Sequence, residues 1–200
     1  MNLVDLIIKI IRGAKVRIIN NLIQKPRILK YQILSQCGNV IGKPKRYQPV
    51  LINGKGQVTF GENVKIGFQL SPNFFSNYAY IESRTKNSAI KINNNVWINN
   101  NFVAIAEIGI EIGENTLIGE NVKIYDSDFH NIHPNKRINH IALKGKIHIG
   151  KNVFIGTNVT ILKDINIGEN SIIAAGSVVT RSIPENVIAG GIPARIIKKL

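Results

Sequence analysis

Residues 147–183 read I-H-I-G-K-N-V-F-I-G-T-N-V-T-I-L-K-D-I-N-I-G-E-N-S-I-I-A-A-G-S-V-V-T-R-S-I. Every sixth residue from Ile149 is a branched aliphatic: Ile149, Ile155, Ile161, Ile167, Ile173 and Val179. The residue that follows is small in four cases, Gly150, Gly156, Gly168 and Ala174. The residue four further on is Val153, Val159, Ile165, Ser171 or Ser177. A helix would turn positions six apart about 120° away from one another. An ordinary strand would alternate every second residue. A chain that turns a corner every six residues satisfies the pattern instead. One aliphatic per flat face points inward and stacks on the coil beneath. Three faces give an eighteen-residue coil, with Ile149 under Ile167. The small residues are expected at the corners, where glycine tolerates unusual φ/ψ and close backbone approach. The stretch predicts an all-β chain, a parallel β-helix of hexapeptide repeats.

Outward from this run the period weakens and returns. It appears at Ile112, Ile118 and Ile124, in another frame at Ile92, Ile98 and Ala104, and first at Phe60 and Ile66. Residues 68–89 break it and predict wider coils or a loop. Residues 125–146 break it again, and this interruption holds three of the four histidines. A loop that interrupts a rigid scaffold is where function is expected. The β-helix is assigned to residues 58–183, preceded by a connecting segment at 26–57 with three prolines. Residues 184–200 read as a tail that leaves the coil through Pro184 and Pro193 and ends basic.

Residues 1–25 place Leu3, Leu6, Ile7, Ile10, Ile11, Ala14, Ile18 and Leu22 at helical spacing, with Lys9, Arg12, Lys15 and Arg17 between them. Two readings stand: a cap on the end of the solenoid, or an amphipathic helix lying on an anionic membrane. The segment is too charged to span a bilayer. Asp5 and Lys9 interrupt its apolar run, and no small-residue cleavage site follows, so it does not read as a secretory signal.

The formal net charge is +14. Residues 1–50 hold ten Lys and Arg against one Asp, so the excess sits at the N-terminus. No zinc-finger, helix-turn-helix or aromatic-interleaved basic pattern is present, so nucleic acid is not the expected partner. A phosphorylated ligand and an anionic membrane account for the charge. The single cysteine, Cys37, allows no internal disulfide and fits a reducing cytoplasm, with contact at the inner face of the cytoplasmic membrane.

His130 stands directly after a coil, in D-S-D-F-H, with Asp126 and Asp128 nearby. An imidazole can take a proton from a hydroxyl near neutral pH. An aspartate or a backbone carbonyl on its other nitrogen would fix the tautomer. His130, His133, His140 and His148 lack metal-ligand spacing, and no metal is expected. The A-A-G-S-V-V-T-R run offers small residues for close ligand approach. Arg181, Arg195, Lys198 and Lys199 offer phosphate partners.

The stretch I-G-K-N-V-F-I-G-T-N-V-T-I, followed by I-G-E-N-S-I-I-A-A-G-S-V-V-T-R-S-I-P-E-N-V-I-A-G-G-I-P-A-R-I-I, resembles the C-terminal half of hexapeptide-repeat acyltransferases. The branch it resembles is the CoA-dependent sugar and polysaccharide O-acetyltransferases. The resemblance covers residues 90–200 well and 58–89 loosely. It implies a left-handed β-helix, a homotrimer, and active sites between neighbouring subunits. It implies acetyl-CoA as donor and a saccharide or lipid-linked saccharide of capsule, O-antigen or exopolysaccharide synthesis as acceptor. His130 matches the catalytic base, with Asp128 or Asp126 as its orienting partner. Phe154 matches the aromatic beside the acyl group. Gly156, Thr157, Ala175, Gly176, Thr180 and Arg181 match the CoA groove, and Arg195 and Lys198 match basic positions near its nucleotide. Asn99 and Glu107 match acceptor-site positions. N-acetylation of an amino sugar nucleotide and a non-catalytic scaffold are the alternative readings.

Overall fold

The computed structural model describes Asp5, Leu6 and residues 13–16, 18–138 and 141–200. Three parallel sheets form the walls of a triangular prism. Face 1 comprises Val40–Ile41, Gln57–Phe60, Ala89–Ile92, Gly109–Ile112, Ile147–Ile149 and Ile165–Ile167. Face 2 comprises Lys45–Arg46, Lys65–Ile66, Trp97–Ile98, Leu117–Ile118, Phe154–Ile155, Ile172–Ile173 and Val187–Gly191, closed by the antiparallel Ala194–Lys199. Face 3 comprises Val50–Gly54, Ala79–Ser83, Val103–Ala106, Lys123–Tyr125, Thr160–Ile161 and Val178–Val179.

The six-residue column stacks as its spacing requires. Ile149 lies in register with Ile167, Ile155 with Ile173, and Ile161 with Val179, and all six are buried. Phe60, Ile92 and Ile112 continue the same stack downward on face 1. Burying an aliphatic of this size is worth about 1.5–3 kcal/mol. The sum of such contacts, with strand pairing between coils, holds a solenoid together.

The corners differ from expectation in one respect. The left-handed residues are asparagines, two positions after the small residue, in the repeated I-G-x-N. Asn152, Asn158 and Asn170 have φ of +54°, +60° and +60°. Asparagine tolerates this region because its short side chain hydrogen-bonds locally. Here those side chains form ladders: Asn152 Nδ2 donates to Asn170 Oδ1 at 3.0 Å, and Asn170 Nδ2 to Asn186 Oδ1 at 2.9 Å. The glycine serves close approach alone. A Cβ on Gly156 would stand 2.6 Å from the Ala175 nitrogen of the next coil. The buried Thr116, Ser171 and Ser177 hydroxyls donate to the carbonyls of Gly150, Pro184 and Ala174.

The ends of the coil lie further out than the period suggests. The first coil begins at Val40 and pairs with Val58, inside the segment read as connection. Its aliphatics are unevenly spaced around Pro44 and Pro49, which hides the repeat. At the other end Ile188 pairs in parallel with Ile172, so the tail adds a rung before the strand turns back.

Helix also reaches beyond residue 25. A π-helical turn, Asn20–Gln24, runs into α1, Lys25–Leu34. Pro26 falls in the first turn of α1, where an N–H is not needed. Gln24 donates to the Tyr47 and Phe74 carbonyls, and Arg27 to those of Phe74 and Asn77, fastening the helix to the 67–78 loop. That loop is held from below by buried Asn100, whose amide donates to Phe68, Ser71 and Pro72 carbonyls. The described end of this segment thus packs against a loop on the side of the coil. Leu22, Leu29 and Ile33 remain exposed, at 72%, 57% and 75%. Residues 1–4, 7–12 and 17, which carry much of the amphipathic pattern, lie outside the described residues.

Candidate active site

The edge between faces 3 and 1 carries the histidine loop. Tyr125 ends a face 3 strand, and the chain returns to face 1 only at Ile147. Between them the base of the loop is closed by backbone pairing. Asp128 N–H donates to Leu143 O at 3.0 Å, Gly145 N–H to Asp126 O at 2.9 Å, and Ser127 bridges Lys144. Such a loop, with joined ends and its own internal bonds, is a compact surface platform.

His130 is exposed on this platform, and its Nδ1 lies 3.3 Å from the Arg137 carbonyl. The backbone carbonyl, the second of the two orienting partners expected, is the one observed. Asp126 and Asp128 do other work, and their assignment beside the imidazole is corrected. Asp126 is fully buried, and its carboxylate accepts the N–H groups of Glu107, Ile108 and Gly109 at 2.7, 2.8 and 2.7 Å. It caps the corner one coil below, where the chain is two residues longer than six. Burial pushes the Asp126 carboxyl above its ordinary value, and the three donors pull against that. Asp128 pairs with Lys163 Nζ at 2.7 Å. Proximity in sequence brought both aspartates to notice, but the tight turn sends their side chains elsewhere.

Phe129, immediately before His130, has φ of +59°. An aromatic residue there is a genuine outlier, and such strain costs about 1–3 kcal/mol. Its N–H donates to Ser127 Oγ at 3.0 Å, its ring meets Tyr125 edge-on at 5.9 Å, and Arg84 lies 4.6 Å over its face. Arg84, Tyr125, Phe129, His130 and Leu162 line an open groove of about 640 Å³. Glu107 lies behind it, accepting from Ser127 Oγ at 3.3 Å and facing Lys144 at 3.7 Å. Arg84 and Phe129 were not singled out from the sequence. Their only signal was adjacency, Phe129 to His130, and no spacing rule brings Arg84 to either.

Most of the remaining expected residues lie on another side. Trp97, Leu117 and Phe154 stack outward on face 2 in one register. With Phe68, Leu70 and Asn99 they line a second, largely apolar groove of about 780 Å³. Lys65 places its ammonium 3.8 Å over the Trp97 ring. Gly156, Thr157, Ala175 and Gly176 follow along the edge between faces 2 and 3. There the asparagine ladder Asn101, Asn121, Asn158 ends at Gly176, which keeps the left-handed φ of +73° with no side chain and open space around it. Thr180 and Arg181 lie on the histidine edge, while Arg195 and Lys198 are exposed on the closing strand of face 2. One chain thus divides the expected residues between two edges. Asn99 and Glu107, expected together at the acceptor, fall on different edges.

His140 lies outside the described residues. His133 accepts from the Asn135 N–H at 3.4 Å, and His148 faces Glu111 at 3.6 Å on face 1. Among the described residues no three His, Cys, Asp or Glu side chains converge on one point.

A family model described as bacterial transferase hexapeptide (six repeats) matches residues 146–181. The "Putative lipopolysaccharide biosynthesis O-acetyl transferase WbbJ" of Escherichia coli (strain K12) is 34% identical over 163 residues, covering 76% of this chain and 76% of that protein. The chain belongs to the hexapeptide-repeat acetyltransferase family. Its coil is accordingly a left-handed β-helix. The galactoside O-acetyltransferase of E. coli (strain K12) is 40% identical over 113 residues, which cover 56% of this chain and 55% of that enzyme. The chain spans 63%, 55% and 62% of the length of three such relatives. A solved galactoside acetyltransferase in complex with coenzyme A superposes with a TM-score of 0.52 at 25% identity, covering 88% of this chain and 81% of that one.

Proposed function

We propose that the chain transfers an acetyl group from acetyl-CoA to a hydroxyl of a saccharide, with His130 as general base. The observation that carries this is the exposed imidazole at the mouth of a groove, with Nδ1 on a backbone carbonyl. When Nδ1–H donates to Arg137 O, the Nε2 lone pair is free to accept a proton. The acceptor oxygen loses its proton to Nε2 as it attacks the thioester carbonyl. The imidazolium then returns that proton to the departing thiolate. Oxygen–acyl bond formation and carbon–sulfur cleavage balance, and the base is regenerated. Named relatives of the galactoside and lipopolysaccharide O-acetyltransferase type support a sugar hydroxyl as acceptor.

The division of residues between two edges supports a site shared between copies in a homotrimer. The histidine edge of one copy would face the Phe154, Thr157, Ala175 and Gly176 edge of its neighbour. Ile132, Ile138 and Ile141, exposed at 68%, 92% and 81% on the histidine loop, favour a covered loop tip. The open space at Gly176 fits a ligand arm lying against backbone, and exposed Arg195 and Lys198 fit phosphates. His130→Ala should lower thiol release from acetyl-CoA by about 10²–10⁴-fold while coenzyme A affinity holds within about twofold. A rate near wild type would remove His130 from the mechanism.

The reading extends to a lipid-linked acceptor at an anionic cytoplasmic membrane face. Exposed Leu22, Leu29 and Ile33 beside Lys25 and Lys30 support it. No helix among the described residues is long and apolar enough to cross a bilayer. Leu22→Glu with Ile33→Glu should reduce co-sedimentation with phosphatidylglycerol vesicles severalfold. Equal, negligible sedimentation of both proteins would end this part of the reading.

A further inference from the structure

The ring of His130 rests on one 3.3 Å hydrogen bond on the exposed side of a long loop. A general base needs a tighter hold than that, because a misplacement of about 1 Å can cost on the order of 10²-fold in rate. The hold is found one residue earlier. Phe129 is kept in the left-handed region by three contacts from three directions: Ser127 Oγ on its N–H, the Tyr125 ring at its edge, and Arg84 over its face. Arg84 is itself fixed. Its Nε and Nη2 donate to the two oxygens of Glu82 at 3.0 and 2.9 Å, and the Tyr80 hydroxyl reaches the same carboxylate at 3.1 Å. Tyr80 and Glu82 point outward from the Ala79–Ser83 strand of face 3, two coils below the loop, so the chain of contacts ends on rigid scaffold. The bidentate pair holds the guanidinium, whose central carbon lies over the Phe129 ring.

We propose that Arg84, seated over Phe129, is a positioning residue for His130, holding the left-handed backbone that aims the imidazole into the groove. The pair acts through the backbone and touches no reacting atom. This inference rests on the reading of His130 as base, and its test separates the two.

Full-length protein carrying ¹³Cε1-labelled histidine reports each imidazole by NMR, with the His130 signal assigned by its loss in His130→Gln. Arg84→Met and Phe129→Leu should each shift the His130 signal and leave those of His133 and His148 in place. Arg84→Lys, which keeps a cation over the ring, should restore most of the wild-type position. A general loosening of the fold would move His148 as well. In parallel, thiol release from acetyl-CoA is followed with 4-nitrophenyl β-galactoside as acceptor probe. Arg84→Met should lower kcat by about 10–10²-fold with the KM for acetyl-CoA within about twofold. An unmoved His130 signal in both variants overturns the proposal, whether or not the probe is turned over. So does an unchanged kcat with a raised acceptor KM, which would make Arg84 a substrate contact. Wild-type turnover by His130→Gln would instead overturn the base assignment and leave the NMR result to decide the clamp.

Discussion

The edge from face 1 to face 2 and the edge from face 3 to face 1 join equally regular sheets by opposite rules. On the first, core residues are always six apart: Phe60 and Ile66, Ile92 and Ile98, Ile112 and Ile118, Ile149 and Ile155, Ile167 and Ile173. On the second the spacing is longer from Ile81 to Ile92, from Ala104 to Ile112 and from Ile124 to Ile149, and returns to six only from Ile161 to Ile167. Inward stacking demands only that strands arrive in register. It does not dictate how the chain travels between them, and extra loop length is cheap in closure entropy. The regular edge is bound by asparagine ladders and by coil-to-coil contact too close for a Cβ. The irregular edge must satisfy its longer backbone by other means, and there Asp126 caps three N–H groups and His130 is displayed.

That contrast can be tested on the irregular edge and sharpened on the second edge that carries an asparagine ladder. The largest expected effect on stability comes from the irregular edge. Asp126→Ala leaves three part-buried N–H groups without their acceptor and should cost about 3 kcal/mol in chemical denaturation. A loss below about 1 kcal/mol would show that the longer corner holds without its cap. The smaller effect comes from the third edge, between faces 2 and 3, where an asparagine ladder also runs. Gly176→Asn returns the ladder residue to a left-handed position and should change stability by less than about 0.5 kcal/mol. The same side chain enters the space beside Ala175, so coenzyme A affinity measured by titration calorimetry should fall about tenfold, or about 1.4 kcal/mol. Unchanged affinity would separate this edge from the ligand.

The unevenness of the two edges also explains what could be read from the chain. The period from Ile149 to Val179 identified the stacked core and the three faces, because a buried column admits few residue types. The I-G-x-N repeat recorded the left-handed corners as plainly, yet the glycine drew attention that belonged to the asparagine. The first coil and the last rung were hidden because Pro44, Pro49 and Pro184 alter spacing without altering register. His130 was legible as an interruption. Its neighbours were not, since Asp126 and Asp128 lie close in sequence but turn to Glu107 and Lys163, and Arg84 arrives from two coils below. Periodicity reports what stacks. The site is built where stacking stops constraining the chain.

The central claim is that a complete site joins the histidine edge of one copy to the Ala175 edge of another. Mixing two defective chains tests it most directly. His130→Ala removes the base from one edge, and Ala175→Trp fills the groove on the other. Each homotrimer should be nearly inactive. Co-expressed in equal amounts, they should assemble at random, so that about a quarter of all sites, one in each mixed trimer, pair two intact edges, as a heterologous ring interface requires. Thiol release from acetyl-CoA at about a quarter of the wild-type rate is the predicted result. Mixed trimers no more active than either parent would contradict a site shared between copies.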